Sequence, residues 1–211
     1  MKARLTSLFL CTFMAVGMLA QTIQFNMEPL AEGNEVSAEA AKLLETRLKQ
    51  ILTRNSAGAA QDLNVFAIRP ELNILEEKST AGLTQNLRLV KGELTLVALN
   101  RVDGSLYHSV SIPLSGQVRT KEDPYKAMVQ AIKSTDPQFT RFIRVAREKI
   151  ENYYAENCNV ILQKAETLFQ TKRYDEARSY LSAVSETLSC YDQASELLKR
   201  ISDEGGACPG L

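Results

Sequence analysis

The chain has 211 residues, with 25 Lys plus Arg against 25 Asp plus Glu, so its fixed charges cancel. That balance, without any dense run of Lys and Arg, excludes the basic face expected of a nucleic-acid binder. Tryptophan is absent, which removes the usual sugar-stacking platform, and ten Gly with six Pro are too few for a low-complexity chain.

Lys2 and Arg4 precede an apolar run, LFLCTFMAVGMLA, at residues 8–20. A charged start followed by a short apolar stretch is the layout of a secretory signal peptide. The run is shorter than the ~20 residues that span a bilayer as a helix. Cleavage after Ala20 leaves Met18 three residues back, whereas cleavage after Gly17 leaves the smaller Ala15 there. Cys11 follows Leu10, where an acylated cysteine needs a small residue, so it is expected to leave with the signal. The mature chain is expected in a periplasm or outside the cell, with no stable membrane span.

The next elements alternate between strand and helix. TIQFNMEPL reads as a first strand. A helix opens at Ser37, a good N-cap with Glu39 in the first turn, and its stripe is Ala40, Leu44, Leu48 and Ile51. In NVFAIRPELNIL, Phe66, Ile68, Leu72 and Ile74 share one parity, and Pro70 marks an edge or kinked strand. NLRLVKGELTLVAL starts with Leu87 and Leu89 on one parity and continues with Leu94, Leu96 and Ala98 on the other, implying a bulge near Gly92. Asp103-Gly104 suits a turn. In LYHSVSIPL, Leu106, His108, Val110, Ile112 and Leu114 are expected on one face, with Tyr107, Ser109 and Ser111 on the other. Asp123-Pro124 opens a helix burying Tyr125, Met128, Val129 and Ile132. The order strand, helix, three strands, helix predicts a small mixed or antiparallel sheet with helices on one face, an α+β fold.

The helix LLETRLKQILTRN followed by NVFAIRPEL resembles a group of bacterial envelope domains: the curli-secretion channel lipoprotein, the penicillin-binding-protein activator lipoproteins and the amino-terminal domain of the Tol-system propeller protein. The resemblance covers roughly residues 22–135 and rests on element order and hydrophobic pattern. It implies an assembly or interaction domain rather than a catalyst. The chain departs from the lipoprotein members in lacking their lipid-anchor cysteine.

From Pro137 the pattern is helical for some thirty residues. Phe139, Ile143, Ala146, Ile150, Tyr154, Cys158, Ile161, Ala165 and Leu168 step by three and four, predicting one long helix. YDEARSYLSAV and CYDQASELLKRI follow as two more. Ala165, Leu168, Tyr174, Ala177, Leu181 and Val184 resemble a tetratricopeptide repeat in their order of small and large residues, which implies two closely packed antiparallel helices with Tyr174 wedging the turn. Ser189 stands where a proline closes such repeats, and only one copy is present, so the expectation is a repeat-like hairpin; the alternative is a generic three-helix bundle. The organisation expected is a signal peptide over 1–20, an envelope-type α/β domain over 21–136, a helical hairpin domain over 137–203 and a flexible tail over 204–211.

In an up-down-up arrangement Cys158 and Cys190 fall at the same end, and in an oxidising compartment a disulfide is their expected state; the alternative is two buried thiols. Cys208 is left odd, free or paired with another chain. No metal or cofactor site is expected. His108 stands alone on an apolar parity, so it reads as a structural residue, and no phosphate-loop, dinucleotide or nucleophile-elbow motif is present. No catalytic residue is assigned. The sequence therefore points to a non-catalytic interaction or assembly protein of the cell envelope that binds a protein or peptide. The alternatives are a hydrolase with a carboxylate pair, which leaves little sequence trace, and a structural subunit of an oligomer. Mass spectrometry of the exported protein is expected to show loss of residues 1–20, or 1–17; an intact Met1 in the mature fraction contradicts export.

Overall fold

The computed structural model describes residues 23–30, 36–59, 64–81, 86–119 and 122–205. The signal segment and Cys208 lie outside the described residues. The elements are β1 (Asn26–Met27), α1 (Ala38–Arg54), β2 (Phe66–Ala81), β3 (Asn86–Asn100), β4 (Leu106–Arg119), α2 (Pro124–Gln130), α3 (Pro137–Glu156), α4 (Cys158–Gln170), α5 (Tyr174–Ser182) and α6 (Tyr191–Gly205). The fold is α+β. One mixed sheet has the order β1-β2-β3-β4, with β1 parallel to β2 and the other pairs antiparallel.

The start of α1 behaves as its sequence predicts. Ser37 accepts a hydrogen bond from the Ala40 amide, and Ala40, Leu44, Leu48 and Ile51 are buried. The Ser37 hydroxyl also donates to Asp123, whose second oxygen accepts from the Tyr125 amide and caps α2. Lys126 pairs with Glu39 at 2.9 Å beside them. The positive ends of two helices are thus tied by one Ser–Asp contact.

The sheet departs from the sequence reading in three places. The first strand shrinks to the pair Asn26–Met27, helped by a bridge from Phe25 to Gly58. β3 keeps one phase throughout: Val90, Gly92, Leu94, Leu96 and Ala98 are all buried on one face. The register shift near Gly92 belongs to β2, between Ile74 and Glu76, and leaves Leu75 69% exposed. Leu106 does not share the face of His108. Opposite Ala98 and Leu99 the ladder skips Tyr107, and this bulge exposes Leu106 and turns Tyr107 towards the core.

Glycine makes the helix-bearing face of the sheet close-fitting. A Cβ on Gly92 would sit 2.8 Å from the Asn73 carbonyl oxygen and 3.2 Å from Met128 Sδ, and one on Gly116 would strike the α2 backbone at Pro124 and Met128. α2 therefore beds onto bare backbone. α3 lies beside it, with Phe142 stacked on His108 at 5.5 Å and Tyr154 edge-on to Phe66 at 5.7 Å.

Both open edges carry a proline. The Glu28 amide donates to the Ile68 carbonyl on the β1 side of β2. Two residues on, Pro70 turns its nitrogen to that same side, past the end of β1, so no bond to β3 is lost. Carrying the alternation through Pro70↔Leu96, Leu96↔Val110 and Glu93↔Pro113 places the Pro113 nitrogen on the outer edge of β4.

The predicted long helix is broken into α3 and α4 at Asn157, which adopts φ −115° and ψ 25°. Its side-chain amide donates to the Tyr153 carbonyl, in competition with helical continuation. All nine stripe residues from Phe139 to Leu168 are nevertheless buried. α4 and α5 form an antiparallel hairpin closed at Lys172, which takes φ 60°, with the Arg173 amide reaching back to the Leu168 carbonyl at 2.8 Å. The main buried apolar cluster runs without interruption from Ile23 on one side of residue 137 to Ile201 on the other.

Cys158, just after the break, is joined by a disulfide to Cys190, the residue before α6, with the Cα atoms 5.9 Å apart and the two residues 32 positions apart in sequence. Closing that loop constrains the unfolded chain, worth roughly 3–4 kcal/mol in the chain-entropy account. Replacing either cysteine with serine is expected to lower stability by about 2–4 kcal/mol, read as a lower urea midpoint. Unchanged midpoints under oxidising conditions would contradict a stabilising cross-link.

Candidate functional site

The turn between β3 and β4 reaches onto the helical hairpin. Asn100 organises the turn: its side-chain oxygen accepts from the Val102 amide at 2.8 Å and its carbonyl from the Gly104 amide at 2.9 Å. Gly104 takes φ +72°, as an Asp-Gly turn requires. One oxygen of Asp103 accepts from the Ser105 amide at 3.0 Å. The other accepts from Lys164 Nζ on α4 at 2.6 Å and from the Tyr180 hydroxyl on α5 at 2.9 Å. A single carboxylate thus latches the sheet to both helices of the hairpin.

Electrostatics follow from this geometry. Burial pushes the Asp103 carboxyl up, but the hydrogen bonds from Lys164, Ser105 and Tyr180 outweigh it and hold the group down at about 2. Lys164 is raised in turn, chiefly by its bond to Asp103. Burial, followed by Asp103, raises the Tyr180 phenol. Below the latch, Tyr107 and Tyr153 meet edge-on at 5.6 Å, and Tyr153 and Tyr154 at 6.2 Å. Burial raises the phenols of Tyr107 and Tyr154. Their hydroxyls and the Asn100 amide nitrogen are enclosed without a well-formed hydrogen bond among the described residues.

Two depressions flank α4. One, of about 350 Å³, lies between the turn and the hairpin and includes Val102, Asp103, Val160, Lys164, Leu168 and Tyr180. The other, of about 320 Å³, lies between α4 and α6 and includes Leu162, Glu166, Gln193, Glu196, Leu197 and Arg200. Gln163 borders both. Their charges largely cancel within the protein: Lys164 pairs with Asp103, and Arg200 makes two 3.2 Å contacts to Glu166 while lying 4.9 Å from the Phe169 ring centre.

Of the residues selected from sequence, Ala165, Ala177, Leu181 and Val184 are buried to at least 97%. Leu168 is buried and Tyr174 half-buried, its ring 5.9 Å from Phe169. Cys158 and Cys190 are brought together. His108 packs on Phe142, and burial followed by the charge of Lys149 lowers its pKa. Among the described residues no group of three or more His, Cys, Asp or Glu is arranged to hold a metal ion, and no helix is long and apolar enough to cross a membrane. The latch escaped the sequence reading: Asp103 carried a turn signal, but nothing linked it to Lys164 or Tyr180.

No protein-family model matches the chain, and no curated protein matches it significantly. Solved structures give partial matches. A minor lipoprotein of Acinetobacter baumannii is 16% identical, the match covering 60% of this chain and 83% of that one, with a TM-score of 0.34. A PelC dodecamer subunit from Paraburkholderia phytofirmans is 11% identical over 61% and 89%, with a TM-score of 0.36. Lipoprotein GNA1162 of Neisseria meningitidis is 11% identical over 62% and 99%, with a TM-score of 0.26.

The Asp103 latch has a pH signature. Its folded pKa lies below the unfolded value, so its contribution is present above about pH 4 and lost as pH falls towards about 2. Asp103→Asn is expected to cost roughly 1–2 kcal/mol at pH 7 and to flatten the acid limb of a plot of stability against pH. Identical acid limbs for both proteins would contradict the latch.

Proposed function

We propose that this protein is an exported, non-catalytic interaction or assembly protein of the bacterial cell envelope, and that its helical part offers a binding surface to a protein or peptide. The observation that carries the reading is the open surface on both sides of α4. Its Lys and Arg are neutralised internally, which leaves an exposed valine, the side-chain amides of Gln163 and Gln193 and one carboxylate, Glu196, open to a partner. Such a surface suits recognition of a chain segment rather than bond-breaking chemistry. The surface is also held firmly: the Asp103 latch fixes one wall, while the disulfide and the Arg200–Glu166 pair fix the other.

The export reading is supported by residues 1–20 and by the Cys158–Cys190 disulfide, a bond that persists in oxidising compartments. The likeness of the sheet region to envelope assembly domains and of the α4–α5 hairpin to a tetratricopeptide repeat agrees with an adaptor role. Assembly into an oligomer is compatible with this role.

The test is site-specific photocrosslinking in the native envelope, with the reactive residue at Val160 beside α4 and, separately, at Leu75 on the sheet arm. A discrete partner captured from Val160 is expected. Hydrolysis of a glycan or peptide by the purified mature protein, with no partner captured from either position, would overturn the reading.

A further inference from the structure

We propose that the two depressions beside α4 form one trough for an extended partner segment carrying a large apolar side chain and a lysine or arginine. The inference rests on the interaction reading above and names the chemistry of the segment. Gln163 borders both depressions, so a strand-like segment crossing α4 passes from one to the other without leaving the surface. On the turn side, Val102, Val160 and Leu168 with the Tyr180 ring make an apolar seat, and Val160 is 42% exposed. Burying a large side chain there removes that apolar area from water.

The charge balance selects the second feature. Asp103 and Lys164 neutralise each other on the turn side, and Glu166 and Arg200 do so on the α6 side. Glu196 is the charged lining residue left without an ion-pair partner among the described residues. A cation is therefore complementary to the α6 side, and an acidic segment would meet uncompensated repulsion. The side-chain amides of Gln163 and Gln193 have no hydrogen-bond partner among the described residues and offer both donors and acceptors, which matches a peptide backbone.

The test uses short fluorescein-labelled peptides in a Gly/Ser background, carrying Leu plus Lys, Leu plus Glu, or neither, titrated against the oxidised mature protein by anisotropy. The Leu/Lys peptide is expected to bind about three- to tenfold tighter than the Leu/Glu peptide. Glu196→Lys is expected to invert that preference, and Val160→Asp to weaken both Leu peptides by about tenfold. Both positions are at the surface, and circular dichroism confirms that the variants are folded. Equal binding of all three peptides, no binding, or indifference to both substitutions overturns the inference. A partner crosslinked in the envelope from Leu75 and not from Val160 would also overturn it while leaving the interaction reading in place.

Discussion

The molecule depends on one buried face, that of α3. Phe139, Phe142, Ile143, Ala146, Ile150 and Tyr154 are all removed from solvent there. Each large side chain contributes roughly 1.5–3 kcal/mol on burial, against about 1 kcal/mol for an ordinary hydrogen bond. The face therefore outweighs any single polar contact, including the Asp103 latch. It also fixes what polar contacts can form. Phe142 on His108 and Tyr154 on Phe66 hold α3 against the sheet, and α4 leaves the end of α3 at an angle that brings Lys164 to the β3–β4 turn. At its other side, Arg147 of α3 donates to the carbonyls of Ile23 and Ser56, gathering the start of the sheet and the end of α1 onto the same helix.

The features legible in the sequence were those with a local or periodic cause. The cap at Ser37, the turn at Asp103-Gly104 and the nine-residue stripe from Phe139 to Leu168 each rest on residues close together in the chain, and each is found in place. What escaped is non-local. The bulge at Tyr107 depends on how β4 matches β3, so strand parity alone put Leu106 on the wrong face. The phase change read near Gly92 pointed to the right position but the wrong strand, because the extra residue lies across the ladder at Leu75. The break at Asn157 preserves the helical stripe, and a stripe cannot distinguish one helix from two that share a buried face. The candidate site was hidden for the same reason: Asp103, Lys164 and Tyr180 meet only after the sheet end and the hairpin have packed.

The sheet also limits how the protein can associate. An exposed edge invites pairing with another strand, and proline is among the residues that blunt it. Pro70 and Pro113 each place a donorless nitrogen on an outer edge, so a continuous ladder with a second chain is interrupted on both sides. Association is thereby directed towards side-chain surfaces, such as the trough proposed beside α4.

The tyrosine cluster beneath the turn has an optical consequence. The chain has no tryptophan and seven tyrosines, and Tyr107, Tyr153, Tyr154 and Tyr180 lie where the sheet meets the helices. Tyrosine therefore dominates the near-ultraviolet absorption and emission, with most of these rings at that one junction. Phenols held edge-on in an asymmetric setting give circular dichroism that freely rotating phenols do not. The junction accordingly carries its own chromophore, and its opening can be followed in unlabelled, unmodified protein.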